Sequence, residues 1–153
     1  MNSAGYENIK RIKINEYTIL NENNSNAIAD SIHNCIAVLF NRRNSKILCH
    51  LNNSMIGYED ALNEIFGLDD DIIIDATIYM GNDSTNELIN DCLSKLSQRK
   101  IPCKVTKAYY NPFYDEGSVG FDYNNNKLLY YDLFTYSIDE FENLEYKDNY
   151  LKK

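Results

Sequence analysis

The sequence predicts an α/β (α+β) fold in which a mixed β-sheet and flanking helices form a layered sandwich. Short apolar, β-branched runs such as CIAVLF and DIIIDATIYM alternate with two segments whose apolar residues recur at helical spacing. The 153 residues are 44% hydrophobic, and they contain no internal repeat and no linker rich in Pro, Gly or Ser. These observations indicate a single domain over residues 1–153 with a sizeable core.

The chain opens with a predicted strand over residues 8–20, where Ile residues alternate imperfectly with Lys and Arg. A run of polar turn-forming residues, NENNSN, predicts a loop from Asn21 to Asn26. We expect the segment around His33 to be a loop as well, with a partly exposed imidazole.

The apolar runs CIAVLF and KILCHL predict a hairpin over residues 35–51. If the turn lies in NRRNS, Phe40 faces Lys46 and Cys35 lies opposite or next to Leu51. Such a register places the first strand's opening residue beside the second strand's end.

Two amphipathic segments predict helices. In GYEDALNEIFG the apolar residues share one face, and Gly67 is placed to end the helix in the left-handed conformation. Ser84 and Glu87 form a capping box for a second helix over roughly residues 85–98, which places Cys92 on its buried side.

Further strands are predicted between and after these helices. Residues 71–81 form an apolar, β-branched central strand, and residues 101–110 continue as another. The run SVGFDYNNNKLLYYDL predicts two strands joined by an Asn-rich turn at residues 124–126. The charged tail, residues 139–153, is predicted as helical or frayed.

The charge balance narrows the classes of partner. The chain has 15 Lys and Arg against 23 Asp and Glu, a formal net charge of −8, which disfavours nucleic acid and anionic membranes. The N-terminus lacks the apolar region of a signal peptide, and no stretch reaches transmembrane length. We therefore expect a cytoplasmic protein that binds neither nucleic acid nor a membrane. We also expect a monomer.

Cys35 and His50 are the candidate catalytic pair. A cysteine nucleophile needs an imidazole within reach, and the predicted hairpin makes these two residues neighbours across the strands. Cys49 points to the opposite face from His50, because successive strand residues alternate. Burial of Cys35 as an ordinary core thiol is the competing interpretation, and general burial statistics favour it.

The other thiols are interpreted as core residues. Cys92 lies on a helix face and Cys103 follows an Ile-Pro pair. The four cysteines have no tight CxxC spacing, so neither a disulfide framework nor a metal site is indicated. No cofactor is expected.

The Tyr-rich segment YYNPFYDEG, from Tyr109 onward, is typical of either a recognition loop or edge packing.

The order of these segments over residues 6–131 resembles the CheD-like glutamine deamidase family, which includes the chemoreceptor deamidase CheD and cytotoxic necrotizing factor-type toxins. EYTIL resembles the family's opening strand, SIHNCIAVLFNRRNSKILCHLN its nucleophile segment, and GYEDALNEIF the helix after it. GSVGFDYNNNKLLYY resembles the closing hairpin.

The resemblance implies a hydrolase that converts a glutamine of a target protein to glutamate. Cys35 would attack the side-chain carboxamide, and His50 would act as base and then as acid. Backbone N–H groups around Asn34 and Cys35 would stabilise the oxyanion, with the Asn34 side chain as a helper.

Departures from the family pattern affect the expected role. His-Asn-Cys replaces the usual glycine-containing nucleophile motif, and Ala29 stands where the family has the threonine that orients the histidine. Asp30, Ser31 or a backbone carbonyl is expected to take that role. The pattern favours a diverged bacterial effector or toxin, exported to a host cell without a signal peptide, over a chemotaxis enzyme. The alternatives are an inactive protein-binding module and a transglutaminase.

Overall fold

The computed structural model describes residues 6, 8–111, 116–132 and 137–140. Within these ranges the chain forms two helices and two mixed β-sheets, which confirms the predicted α+β class. The elements in chain order are β1 (Lys10–Arg11), β2 (Glu16–Leu20), β3 (Asn26–Ile32), β4 (Ile36–Arg42), β5 (Lys46–Leu51), α1 (Tyr58–Gly67), β6 (Ile73–Met80), α2 (Asn86–Gln98), β7 (Cys103–Lys107), β8 (Tyr109–Asn111), β9 (Glu116–Asp122), β10 (Lys127–Asp132) and β11 (Ser137–Glu140).

The strands divide between two sheets. Sheet A has the order β1-β3-β9-β10-β11, with β8 also paired to β9, and sheet B has the order β2-β5-β4-β6-β7. Only the β1–β3 and β6–β7 pairs are parallel among the pairs described. The predicted hairpin forms β4 and β5 in the interior of sheet B.

Alternate residues of sheet B enter two different cores. Ile36, Val38 and Cys49 pack with residues of α1 and α2. Cys35, Ala37 and Leu48 pack with residues of sheet A. Because side chains on a strand alternate between faces, sheet B is the middle layer between the helices and sheet A. This explains why β4 reads as a continuous apolar run.

The prediction of one strand over residues 8–20 is wrong. The chain pairs with sheet A at β1, bends through Ile12 to Asn15, and joins sheet B as β2. Asn15 has φ 61°, a left-handed conformation that breaks the strand. After the polar turn the chain forms β3 in sheet A. The expected loop around His33 is confirmed, because His33 lies in the bend that follows β3 and is half-buried.

The hairpin is confirmed, but its register differs by one residue from the prediction. Phe40 pairs with Ile47 rather than Lys46, and Ile36 pairs with Leu51. The turn is tighter than expected because the backbone N–H of Arg42 donates to the carbonyl of Ser45 (3.0 Å).

Both helices are confirmed, and their predicted caps are wrong. Gly67 is the last residue of α1, but its φ is not left-handed. Gly57, which directly precedes the helix, has the left-handed φ. Thr85 caps α2 by accepting from the backbone N–H of Leu88 (3.1 Å), so Ser84 is not the cap. Cys92 is buried, as predicted.

Two predictions near the C-terminus also need correction. The single strand predicted over residues 101–110 is β7 in sheet B followed by β8 in sheet A. The tail prediction is wrong for residues 139–140, which belong to β11, and its remainder lies outside the described residues. The hairpin around residues 124–126 is confirmed as β9 and β10.

Gly81 lies where β6 ends against the turn before β4. A Cβ atom at this position would lie 2.3 Å from the carbonyl oxygen of His33. The two backbone segments are therefore too close for any side chain at residue 81.

We expect Gly81→Ala to lower the free energy of unfolding, measured by urea denaturation, by about 1–3 kcal/mol, because backbone atoms would have to move to make room for the methyl group. Gly67→Ala is the matched control, since a Cβ there meets nothing within 4 Å. That variant should be unchanged or up to about 1 kcal/mol more stable, and equal effects of the two changes would contradict the assigned contact.

Candidate functional site

Cys35 and His50 lie at one end of sheet B, on the face that packs against sheet A. Ala37 pairs directly with His50 across β4 and β5, and Cys35 lies two residues before Ala37 on the same face. The Cα atoms of such diagonal neighbours on adjacent strands lie about 7–8 Å apart. The sequence prediction that the two side chains are near neighbours therefore survives the shift in register.

The imidazole of His50 is held by the backbone of another segment. Its Nδ1 lies 3.0 Å from the carbonyl oxygen of Ile12, while its Nε2 is buried and has no hydrogen-bond partner. A carbonyl oxygen only accepts, so Nδ1 carries the hydrogen, and in the neutral ring Nε2 keeps its lone pair. The ring is therefore presented as an acceptor at Nε2, the form that a general base requires.

Burial sets the protonation of His50. Only 4% of the residue is exposed, and this desolvation lowers the pKa of the imidazole. The carbonyl of Ile12 and the negative charge of Asp30 oppose the shift. The net direction is downward, so the neutral ring is favoured near neutral pH.

The thiol of Cys35 contacts two amide side chains. Asn52 Nδ2 donates to Sγ at 3.6 Å, and Sγ lies 3.8 Å from the Asn34 Oδ1 that it can donate to. Burial raises the pKa of the thiol, and the Asn52 hydrogen bond partly offsets that shift. Because His50 Nε2 has no partner, the thiol and imidazole are not hydrogen-bonded in this structure. Cys35 is 2% exposed, so the pair is enclosed as well as neutral.

Of the residues expected to orient His50, the backbone carbonyl fills the role. The hydroxyl of Ser31 donates instead to Glu116 (2.9 Å), so Ser31 does not hold the ring. Asp30 pairs with Arg11 and acts on the imidazole only through its charge.

Hydrogen bonds hold the turn that precedes β4 against the segment after β6. Asp83 donates its backbone N–H to the carbonyl of His33 (3.0 Å), and the Ser84 hydroxyl donates to the carbonyl of Cys35 (2.5 Å). The Ser84 oxygen also accepts from the backbone N–H of Gly81 (2.8 Å). These contacts fix the Cys35 backbone, while the Asn34 side chain is exposed beside it. An oxyanion-stabilising role for Asn34 stays a prediction.

Two asparagines belong to this site that sequence reasoning missed. Asn52 is buried and follows His50 by two residues, so strand alternation places it on the same face; that spacing could have identified it. Asn15 binds it reciprocally, accepting from the Asn52 backbone N–H (3.0 Å) and donating to its carbonyl (3.1 Å). Asn15 gave no local signal, because the contact joins segments far apart in sequence.

The remaining thiols lie elsewhere. Cys49 faces the helices and contacts the carbonyl of Val38 (3.5 Å), which confirms that it points away from His50. Cys92 is buried in the same core, but Cys103 is only partly buried, so the prediction that it is a core residue holds only in part.

Among the described residues, no three His, Cys, Asp or Glu side chains form a group that could hold a metal ion.

Comparison with known proteins adds no assignment to this geometry. No protein-family model matches the chain, and no curated protein matches it. No helix within the described ranges is long and apolar enough to cross a membrane.

The lowered pKa of His50 predicts a pH dependence of stability. The unfolded chain takes up a proton at this residue near pH 6.5, whereas the folded protein does so only at lower pH. The free energy of unfolding should therefore fall as the pH drops through about 6.5. In His50→Gln this share of the fall should disappear, which urea denaturation at pH 7.5 and at pH 5.5 measures.

His33→Gln is the control for that experiment, because it removes the chain's other histidine. Loss of the slope in His33→Gln, with the slope retained in His50→Gln, would overturn the assignment.

The contact between Asn52 and Cys35 predicts an effect on thiol reactivity. Asn52→Leu keeps a side chain of similar size and removes the donor that stabilises the thiolate. We expect alkylation of Cys35 by iodoacetamide at pH 8, followed by peptide mapping, to become several-fold slower.

Ser54→Ala is the matched control for that substitution. Its hydroxyl donates to Asn52 Oδ1 (2.7 Å) without touching the thiol. The Ser54 variant should label at the rate of the unmodified protein, and an equal slowing in both variants would attribute the effect to the loop rather than to the donor.

Proposed function

We propose that this protein is a thiol-dependent deamidase that converts a glutamine side chain of a target protein to glutamate. The observation that carries the proposal is the arrangement of His50, with Nδ1 held by the Ile12 carbonyl and Nε2 unpartnered on the face that carries Cys35. A resting structural histidine gains nothing from a buried lone pair without a partner, which costs about 1–3 kcal/mol. A base that takes a proton during a reaction needs that lone pair.

The reaction would proceed in two steps. In the first, the Cys35 sulfur attacks the carboxamide carbon while its proton passes to His50 Nε2, and the C–N bond then breaks as Nε2 protonates the leaving ammonia. In the second, water attacks the thioester carbonyl and gives a proton to Nε2. The C–S bond breaks, glutamate leaves, and the thiol recovers its proton.

Both groups begin in their neutral forms under this proposal. Burial favours neutral thiol over thiolate and neutral imidazole over imidazolium. Proton transfer to Nε2 would therefore accompany the attack of sulfur, instead of preceding it as in a preformed ion pair. The Asn52 Nδ2 donor beside Sγ would stabilise the charge that develops there.

The resting geometry does not give a substrate access to Cys35 and His50. Cys35 and His50 are nearly enclosed, and the thiol bonds to Asn52 and Asn34 in place of His50. Rotation of Sγ toward Nε2 would form the reacting pair, and catalytic hydrogen bonds often tighten only when substrate binds. The exposed Asn34 lies beside this thiol and is the side chain whose movement would uncover it.

The same closed geometry favours a second candidate, an inactive protein-binding module. Its predicted surface, the Tyr-rich segment, is supported poorly: Tyr109 is buried and stacks on Tyr130 with ring centroids 4.2 Å apart. Residues 112–115 of that segment lie outside the described residues. We therefore place this candidate second.

Mass spectrometry of glutamine-containing proteins incubated with the purified protein tests the proposal. We expect product peptides with the mass of glutamate in place of glutamine, and we expect Cys35→Ala and His50→Ala to reduce their formation to background. Cys103→Ser should retain full activity, because that partly buried thiol lies on β7.

Three outcomes separate the candidates. Conversion that persists in Cys35→Ala would overturn the thiol mechanism. No conversion in any protein mixture, with biological activity retained by Cys35→Ala, would favour the binding module. Incorporation of an added primary amine at the expense of hydrolysis would identify a transglutaminase, in which the amine replaces water in the second step.

A further inference from the structure

Three exposed apolar side chains lie on the two loops that adjoin the candidate site. Ile14 is 37% exposed, Met55 50% and Ile56 101%, and together they make up what we call the Ile14/Met55/Ile56 patch. Single exposed apolar residues are ordinary on protein surfaces, whereas a group of them marks an interaction site.

Asn15 holds the two loops of the patch together. Its Nδ2 donates to the carbonyls of Met55 (3.2 Å) and Ile56 (3.1 Å). A Cβ on Gly57 would lie 3.4 Å from the Cβ of Asn15, so the backbones are in close contact. Ile14 precedes Asn15 directly, so its backbone lies at the junction of the two loops.

The same asparagine connects the patch to the candidate catalytic residues. Its backbone N–H donates to the carbonyl of His50 (2.5 Å), and its side chain bonds the backbone of Asn52 on both sides. Three residues earlier, the Ile12 carbonyl orients the imidazole. The patch is therefore continuous with the backbone that positions the proposed base.

We propose that the Ile14/Met55/Ile56 patch docks an apolar segment of the substrate protein, next to the glutamine that enters the site. This inference rests on the proposed function. An extended chain whose glutamine side chain approaches Cys35 would cross the site with its flanking residues against the adjacent loops. The protein's net charge of −8 disfavours acidic flanks, whereas burial of apolar flanks against exposed isoleucine and methionine is favourable.

Two fluorescein-labelled peptides test this inference. Each carries one central glutamine, flanked by leucines in one peptide and by serines in the other. Fluorescence anisotropy with Cys35→Ala should show about tenfold tighter binding of the leucine peptide, in line with partial burial of one or two apolar side chains. Adding Ile56→Ser should remove most of that preference, and ammonia release by the otherwise unmodified protein should follow the same order.

Ile72→Ser is the matched control. Ile72 is 54% exposed, but it lies just before β6 at the other end of sheet B, where its carbonyl accepts from Arg43. The control should keep the preference for the leucine peptide. Thermal unfolding of both variants verifies that the fold is intact.

The outcomes separate this inference from the proposed function. Equal binding of the two peptides, or equal losses in the Ile56 and Ile72 variants, would overturn the docking surface even if both peptides were deamidated. Binding that depends on Ile56 without any ammonia release would support the surface and count against the deamidase. Self-association that Ile56→Ser abolishes, measured by sedimentation velocity, would assign the patch to a second copy of the chain and overturn the inference.

Discussion

The peptide units on either side of Ile12 join the two sheets at the candidate site. The N–H of Ile12 donates to the carbonyl of Ile28 in sheet A (2.9 Å), and its carbonyl accepts from His50 Nδ1 in sheet B (3.0 Å). Its side chain is buried in the core between the sheets. The orientation of the imidazole therefore depends on how sheet A packs against sheet B, rather than on a local contact within the hairpin.

This dependence explains which parts of the site the sequence could predict. Cys35 and His50 share a face because each follows the alternation of its own strand, and a shift of one residue in the turn still leaves them diagonal neighbours. The exact register was not predictable from the hairpin sequence alone. Asp71, distant in sequence, accepts from the Asn44 backbone and the Ser45 hydroxyl and helps to close the tight turn.

The errors in predicted elements have a related physical cause. Residues 8–20 have a nearly continuous strand composition, and nothing local indicates that one part pairs in sheet A and the rest in sheet B. The capping box failed because Ser84 bonds the Cys35 carbonyl, which leaves Thr85 to cap α2. In both places tertiary hydrogen bonds that hold the candidate site outweigh local propensity, as is typical near functional residues.

The unpartnered Nε2 of His50 indicates what kind of group would complete the site. A buried acceptor recovers its lost hydrogen bond only from a donor, and the Cys35 thiol on the same face is turned toward Asn34. Either the thiol rotates to donate its proton to Nε2, or an N–H of the incoming group supplies the donor. A primary carboxamide carries such N–H donors beside an electrophilic carbon, whereas a carboxylate carries only acceptors. Under the proposed function, the glutamine substrate would therefore pair with neutral His50 better than the glutamate product, and this difference would favour release of the product.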